Sequence, residues 1–444
     1  MKKLALLLTV CMLTGATLVG CQREQAPAPL ESTGSTTETS GGVSQEDSVV
    51  ICIEEDFEQD ACELENYLLA TGVETDYEFL VLPSNSEDRE PELTRIRTEI
   101  MAGEGPDAFI LSPTIPGTVT DSGDTVEPLF PNVEKSMYSH LFLDLEDMVQ
   151  QSEVVDLKSC NQTVMDVGVT GDGRFLLPVM YTFSTHVLDR SALSDPNYTF
   201  SSLDELLQSD EETLKGTLAW STFKLFPNCL GVLAEYEGQN LLVTADSLQK
   251  AMEQADALSV WQDETYSGSP AVYQEGFTGY GLQNLGNSDT VYSFFPVPNP
   301  QGGVTAAVTF YAAINRNAAR PQEAFDFIEL LYSEELFNGQ GFEVDGYRYG
   351  SAFHYGMGGG LTAAVPVKDE AFFQYLEEFN IQPDTMASLR AAVERIDSAK
   401  VYSDLDQAIY EMYDTWHWSY GQLDTSLEEL VEQTISSMEM TLAE

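Results

Sequence analysis

The stretch from Leu93 to Leu111, LTRIRTEIMAGEGPDAFIL, restricts the possible folds more than any other part of this sequence. Leu93, Ile96, Ile100 and Met101 recur at helical spacing, while Thr94, Arg95, Arg97 and Glu99 take the opposite face, so the spacing predicts an amphipathic helix lying on a core. Gly103 and Gly105 supply backbone freedom beyond its end, and Pro106 forbids its continuation. Asp107 to Leu111 then resumes as a short apolar strand, buried on both faces. A helix that delivers the chain through a tight turn into a parallel strand is the unit of an open α/β sheet. Ligands of such sheets sit beyond the carboxyl ends of the strands, so Ser112, Pro113 and Thr114 emerge where a cleft is expected.

The segment before it has the same grammar. Val49 to Ile53 is an unbroken apolar run that ends at the acidic triplet Glu54, Glu55 and Asp56. A helix follows with Ala61, Leu64, Leu68 and Leu69 inward and Gly72 past its end, then a strand over Phe79 to Leu82, and Asn85 as cap of the next helix. Strand, helix, strand, helix, strand is a doubly wound unit. Its switch point falls near the ends of the first and third strands, so the acidic triplet and Ser112 to Thr114 are expected on one rim.

Further along, Leu141 to Leu145 and a helix near Val154 to Val167 precede a hairpin turn at Gly171-Asp172-Gly173, which leads into a strand from Arg174 to Tyr181. Ser202-Leu203-Asp204-Glu205 is a capping box. LAWSTF, from Leu218 to Phe223, reads as a strand. Asp246 is the expected cap of a helix with Leu248, Met252, Ala255, Leu258 and Trp261 on one stripe, and Trp261 is assigned to the core. A strand then reaches Pro296, a Pro/Asn/Gly loop reverses the chain, a strand returns over Val304 to Ile314, and Pro321 opens a helix packing Phe325, Ile328 and Leu331. Leu405 to Glu444 is helical in two pieces, interrupted at Tyr420 to Asp424. Trp416 and Trp418 cannot both point inward on one helix.

Five stretches carry a resemblance. RTEIMAGEGPD in the opening stretch resembles the signature of the family 1 extracellular solute-binding proteins of ABC importers, which include the maltose-binding protein. The strand from Arg174 to Tyr181 resembles the family's G-x-x-Y-x-L-P segment, and Leu188-Asp189-Arg190 its YDK segment, imperfectly. Val291 to Leu331 is similar to its PxPxGGxxA and AINxxSK block, with Ala318 and Ala319 in place of the usual Ser and Lys. Thr362 to Phe372 is similar to its LPVxxEAF. Tyr347 to Gly360, YRYGSAFHYGMGGG, is longer and richer in glycine and aromatics than the family pattern.

The resemblance implies an α/β, two-lobed periplasmic-binding-protein-like fold of type II, in which two doubly wound α/β lobes are joined by three hinge crossings. Lobe 1 is then 48–182 with 310–362, and lobe 2 is 183–309 with 363–444. It implies a receptor that binds a sugar or oligosaccharide between the lobes and hands it to the transmembrane subunits of an ABC permease, acting as a monomer, with no cofactor and no bond made or broken. Candidate ligand contacts, from positions matching the family's cleft-facing segments, are Glu55, Asp56, Ser112, Thr114, Tyr181, Thr182, Trp220, Phe223, Tyr280, Tyr355 and Tyr402. A receptor for a peptide or polyamine is the alternative within binding; a surface carbohydrate-active enzyme is the alternative of another class.

The amino terminus agrees with such a role. Lys2 and Lys3 precede an apolar run from Leu4 to Leu18, too short for a good membrane span, and Leu18-Val19-Gly20-Cys21 places small residues before a cysteine. This is similar to a bacterial lipoprotein signal (1–20) with its lipobox, and implies a lipidated, palmitate-bearing Cys21 anchoring the protein to the bilayer on the extracellular face of the cell membrane. From Gln22 to about residue 47 the chain is Pro, Ser, Thr, Gly and Glu with scarcely a large apolar side chain, which makes 21–47 a disordered tether reaching roughly 28 Å.

Composition excludes other roles. The 444 residues suit two lobes rather than one core, and 43% apolar content fills them. Twenty Lys and Arg against 73 Asp and Glu give a formal charge of −53, which repels nucleic-acid phosphates. There is no nucleophile elbow, phosphate loop, zincin helix or calcium loop, and His140, His186, His354 and His417 are scattered, so no metal site is expected. Cys52, Cys62, Cys160 and Cys229 lack metal spacing and fall in apolar patterns; the pattern favours buried free thiols over a disulfide.

Overall fold

The structure, a computed structural model, describes residues 48–113, 115–117, 126–221, 226–261, 271–272, 285–286, 288–337, 340–350, 365–419 and 423–443. Its first strands are β1 (Val49–Glu54), β2 (Tyr77–Leu82) and β3 (Ala108–Leu111). β1 pairs in parallel with both others, Ile51 opposite Phe79 and Cys52 opposite Phe109, so the order is β2, β1, β3, as the doubly wound reading requires. Helix Ser86–Met101 starts where Asn85 accepts from the Asp88 N–H at 2.9 Å, and buries Leu93, Ile96 and Ile100. Met101 departs from its assigned face and is 87% exposed, because one residue beyond Ile100 turns the side chain about 100° away from the stripe. Gly103 and Gly105 have φ of 84° and 98°, the left-handed region that closes the turn.

That turn is held from a distance. Asp107 accepts from the Val50 N–H at 3.0 Å through one carboxylate oxygen, and from the Ala319 N–H at 2.7 Å and the Arg320 N–H at 3.3 Å through the other. Asn315 donates to the Glu104 and Pro106 carbonyls at 3.1 and 2.9 Å. The two long sequence blocks near residues 100 and 315 are thus two halves of one hydrogen-bonded junction.

The hairpin β4 (Val169–Thr170) and β5 (Gly173–Arg174) turns where expected. The helix expected over 154–167 is instead broken into a 3-10 turn at Leu157–Ser159 and one turn at Gln162–Met165. Asp156 accepts from the Lys158 N–H and Asn161 from the Val164 N–H, so short polar side chains restart the helix twice. β6 (Leu177–Phe183) then enters the main sheet, and β7 (Thr185–Asp189) begins one residue later in another. β8 (Ala234–Glu235) and β9 (Asn240–Leu241) make a small hairpin, β10 (Ala271–Val272) and β11 (Tyr292–Pro296) flank β7, and β12 (Val304–Ile314) returns to the main sheet. β13 (Phe342–Val344) pairs with β14 (Tyr347–Tyr349), β15 (Val365–Pro366) with β6, and β16 (Ile396–Val401) with β12.

The result is a mixed sheet in the order β15, β6, β12, β3, β1, β2, with β16 also on β12, and a smaller sheet β10, β7, β11. The chain passes between them at Ser184 and again between Pro296 and Val304. The largest hydrophobic cluster surrounds the main sheet and includes Val365, Phe372, Leu389 and Val401. A second joins helices Ala245–Ser259, Asp404–Trp418 and Leu427–Ala443, and a third gathers Leu188, Leu206, Leu218 and Phe295 beside the small sheet.

Five local expectations are revised. Leu218 to Ser221 closes helix Glu212–Ser221 rather than forming a strand; Lys, Leu and Ala within it favour a helix, and Leu214 and Leu218 lie four apart on its buried side. The cap of helix Ala245–Ser259 is Thr244, not Asp246: Thr244 and Ser247 exchange side chain to backbone bonds in a capping box. Ser202 caps as expected, but Glu205 reaches past it to the Ser201 N–H at 2.8 Å. Cys52, Cys160 and Cys229 are buried free thiols, whereas Cys62 is disulfide-bonded. Trp261 is only partly buried, with the Lys215 ammonium 4.8 Å from its ring centre, and Trp416 and Trp418 divide as helical spacing demands: Trp416 donates to Asp256, and Trp418 is 56% exposed.

Candidate ligand-binding site

β12 organises a gap in the main sheet. Along one edge its first half pairs with β16 in parallel as far as Val308 opposite Val401, and its second half pairs with β3 antiparallel from Tyr311 opposite Leu111. The carboxyl ends of β3 and β16 therefore converge from opposite directions on Thr309 and Phe310. On the other edge the register with β6 shifts on both sides of Phe310, a bulge at the same level. Strand ends meeting at a break in pairing are where an open sheet offers its backbone and polar side chains to a ligand.

The side chains at this level are polar and under-satisfied. Thr309, Ser112 just beyond β3, and Thr182, which pairs with Ala307, have buried hydroxyls without a hydrogen-bond partner, and Thr185 and the Asn228 carbonyl share that condition. Most buried polar groups are bonded, and leaving one unmade costs about 1–3 kcal/mol. Tyr402 follows β16, and its hydroxyl accepts from the Asn228 amide at 2.7 Å; the same amide donates to Ser184 at 3.2 Å.

Beside this group lies a buried charge cluster. The Lys400 ammonium donates to Asp406 at 2.5 Å and to the Pro227 and Gly231 carbonyls at 3.1 and 3.0 Å. Burial pushes the Glu134 carboxyl up to about 8, with the Asp406 charge adding to it against a backbone bond from Val401 and the attraction of Lys400. Neighbouring contacts tie segment 131–134 to segment 401–404: Asp404 N–H donates to the Pro131 carbonyl, and Asn132 donates to Asp404 at 3.2 Å and to Tyr236 at 3.2 Å. The loop after β3 reaches helix Asp404–Trp418, where Gly117 N–H donates to Gln407 at 3.2 Å. Gly117 has φ of 75°, and a Cβ there would stand 2.2 Å from Tyr410.

Of the eleven candidates, Ser112, Thr182 and Tyr402 belong to this group. Glu55 and Asp56 are exposed beyond β1; Glu55 accepts from the Ser84 N–H at 2.7 Å, and desolvation followed by the Glu55 charge raises the Asp56 carboxyl. Tyr181 is fully buried on the opposite side of β6 from Thr182, pairing with Val308, and donates to Asp369 at 2.7 Å. Burial pushes Asp369 up to about 6. Trp220 lies on helix Glu212–Ser221. Thr114, Phe223, Tyr280 and Tyr355 lie outside the described residues, as does most of the glycine-rich segment after Tyr349.

Asn228, Thr309, Lys400 and Glu134 were not anticipated. Thr305 and Thr309 are the two threonines inside the otherwise apolar run VTAAVTFYAAI, a usable signal for Thr309. Nothing local marks Glu134 in a chain with 73 acidic residues.

No family model matches the chain, and no curated protein matches it. Solved structures do. The extracellular solute-binding protein family 1 of Alicyclobacillus acidocaldarius is 12% identical with a TM-score of 0.52, covering 89% of this chain and 98% of that one. The sugar-binding protein MalE of Xanthomonas citri is 13% identical with a TM-score of 0.55, covering 89% and 97%. A periplasmic oligogalacturonide-binding protein of Yersinia enterocolitica is 13% identical with a TM-score of 0.51, covering 89% and 99%. At such identities the likeness concerns the fold: this chain has the mixed α/β architecture of solute-binding proteins.

Proposed function

We propose that this protein is an extracellular solute receptor that binds a sugar or oligosaccharide between two hinged lobes and delivers it to the permease of an ABC importer, held at the membrane by a lipidated Cys21. The observation that carries the reading is the convergence of β3 and β16 on Thr309, with the partnerless hydroxyls of Thr309, Ser112 and Thr182 grouped at that level. Hydroxyls and an amide suit a neutral polyol, whose own hydroxyls donate and accept in turn. The structural relatives include proteins named for sugar and oligogalacturonide binding, which supports the same class of ligand. The passages at Ser184 and between Pro296 and Val304 serve as hinge strands in this reading, and closure on ligand is what the permease senses.

Affinity sets the number of contacts needed. Micromolar binding requires about −8 kcal/mol, and a neutral hydrogen bond contributes a net of about 0.5–1.5 kcal/mol. Four or five such bonds fall short, so stacking from aromatic side chains on both sides must complete the site, which couples affinity to closure. Calorimetry with maltose, maltotriose, cellobiose, mannotriose and a galacturonate oligomer, paired with small-angle scattering, tests this. Micromolar heat with one of them and a smaller radius of gyration are expected; silence across the panel at millimolar sugar overturns the reading.

A further inference from the structure

Segment 196–200, strand β11 and helix Pro383–Val393 enclose a pocket of about 240 Å³, built from elements other than the strand ends described above. Two arginines line it, Arg190 and Arg395, together with Pro196, Tyr198, Ser293 and Ser388. Tyr198 and Phe200 stack with ring centres 6.3 Å apart and planes 20° from parallel, giving the pocket an apolar wall.

Arg395 is unusual in so acidic a chain. Arg89, Arg95, Arg97, Arg174, Arg190, Arg320, Arg348 and Arg390 each have a carboxylate within 4 Å. Among the described residues Arg316 and Arg395 have none, and one of the five N–H groups of Arg395 is bonded, to the Gly302 carbonyl at 3.3 Å. The carboxylates whose charges reach it, Asp397 and Glu205, are engaged elsewhere: Asp397 accepts from Asn299 at 2.8 Å, and Glu205 from the Ser201 N–H at 2.8 Å. Partial burial strips water from the guanidinium and depresses its pKa, against the opposing pull of the Asp397 and Glu205 charges. Arg190 is fixed by Ser293, to which its Nε donates at 3.0 Å, and its partner Asp384 is 69% exposed at 3.3 Å. An exposed pair of that kind contributes little, so an incoming anion can compete for the same fork. Ser388 holds helix and strand in place by accepting from the Phe294 N–H at 2.9 Å.

We propose that this pocket is a second ligand site, for a small aromatic carboxylate, with the carboxylate between the Arg395 and Arg190 guanidinium groups and the ring along Pro196 and Tyr198. The volume takes one ring and excludes an oligosaccharide. The planar fork of arginine matches a carboxylate with two parallel bonds, and an aromatic ring suits the apolar wall. The site is independent of the solute reading, and a saccharide bound elsewhere leaves it open.

Titration of the full-length protein with benzoate and with its neutral isostere benzamide tests the proposal, read by calorimetry and by ¹⁹F relaxation of 4-fluorobenzoate. Saturable benzoate binding is expected, with benzamide at least tenfold weaker. Arg395→Gln is expected to weaken benzoate at least tenfold and Arg395→Lys by less; Arg190→Gln supplies a second variant should Arg395→Gln fail to fold by circular dichroism. Saccharide titrations of the same variants are expected to match wild type. No saturation by 50 mM benzoate, equal binding of benzamide, or benzoate affinity unchanged in both folded glutamine variants overturns the proposal.

Discussion

Asp107 does more for the fold than its place in a short loop suggests. It is 7% exposed and accepts three backbone N–H groups, from Val50, Ala319 and Arg320. Replacing it with alanine strands buried donors at the head of β1 and at the start of helix Pro321–Ile328, so Asp107→Ala is expected to cost about 2–4 kcal/mol in urea unfolding, with Asp107→Asn less harmful. Glu134 gives a different signature. Its carboxyl sits at about 8 in the folded protein against an ordinary 4.5, so the native state holds a proton that the unfolded chain has released. The stability this confers is complete below about pH 4.5 and is lost as pH rises through 8. Wild type is therefore expected to lose stability relative to Glu134→Gln across that window, and parallel denaturation curves from pH 4.5 to 8.5 check it. His186 runs the opposite way: burial pulls its imidazole down to about 3 from 6.5, so stability present above 6.5 falls on acidification.

Strands were more legible than helices in this chain because a run buried on both faces leaves little choice of conformation. Val304–Ile314 was expected to the residue, and all eleven of its residues are buried. The failures came where polar side chains compete with the backbone. Asp156 and Asn161 broke an expected helix, and Leu218 to Ser221 of the run LAWSTF, read as a strand, are claimed by a helix that buries Leu214 and Leu218. Part of the site was visible in the same way. Ser112 and Tyr402 follow directly from strand ends, but Thr309 and Asn228 depend on which strands share an edge of β12, a long-range fact that no window of sequence contains. Thr182→Val separates binding from folding here: it removes a buried hydroxyl without a partner and keeps its shape, so stability is expected to hold or rise by up to about 1 kcal/mol while saccharide affinity drops several-fold. Equal affinity for the wild type and the valine variant would remove Thr182 from the site. Gly117→Ala, whose Cβ would meet Tyr410, is expected to push the loop after β3 off helix Asp404–Trp418 and raise the radius of gyration measured by scattering.

Across the molecule, a formal charge of −53 loads the surface with self-repulsion. Raising NaCl from 20 to 500 mM shortens the screening length from about 20 Å to about 4 Å, so the melting temperature is expected to climb over that range; a flat or falling trend in scanning calorimetry would contradict this. The likeness to solute-binding proteins lies in the fold, and one distant junction ties its sequence blocks together: Asp107 reaching Ala319 and Asn315 reaching Glu104.

That junction also sets an order of events at the ribosome. β3 lacks its second neighbour, and Asp107 two of its three donors, until the chain near residue 320 has been made. A nascent chain of two hundred residues thus carries a bare strand edge and cannot lock its first sheet until synthesis is nearly three-quarters done.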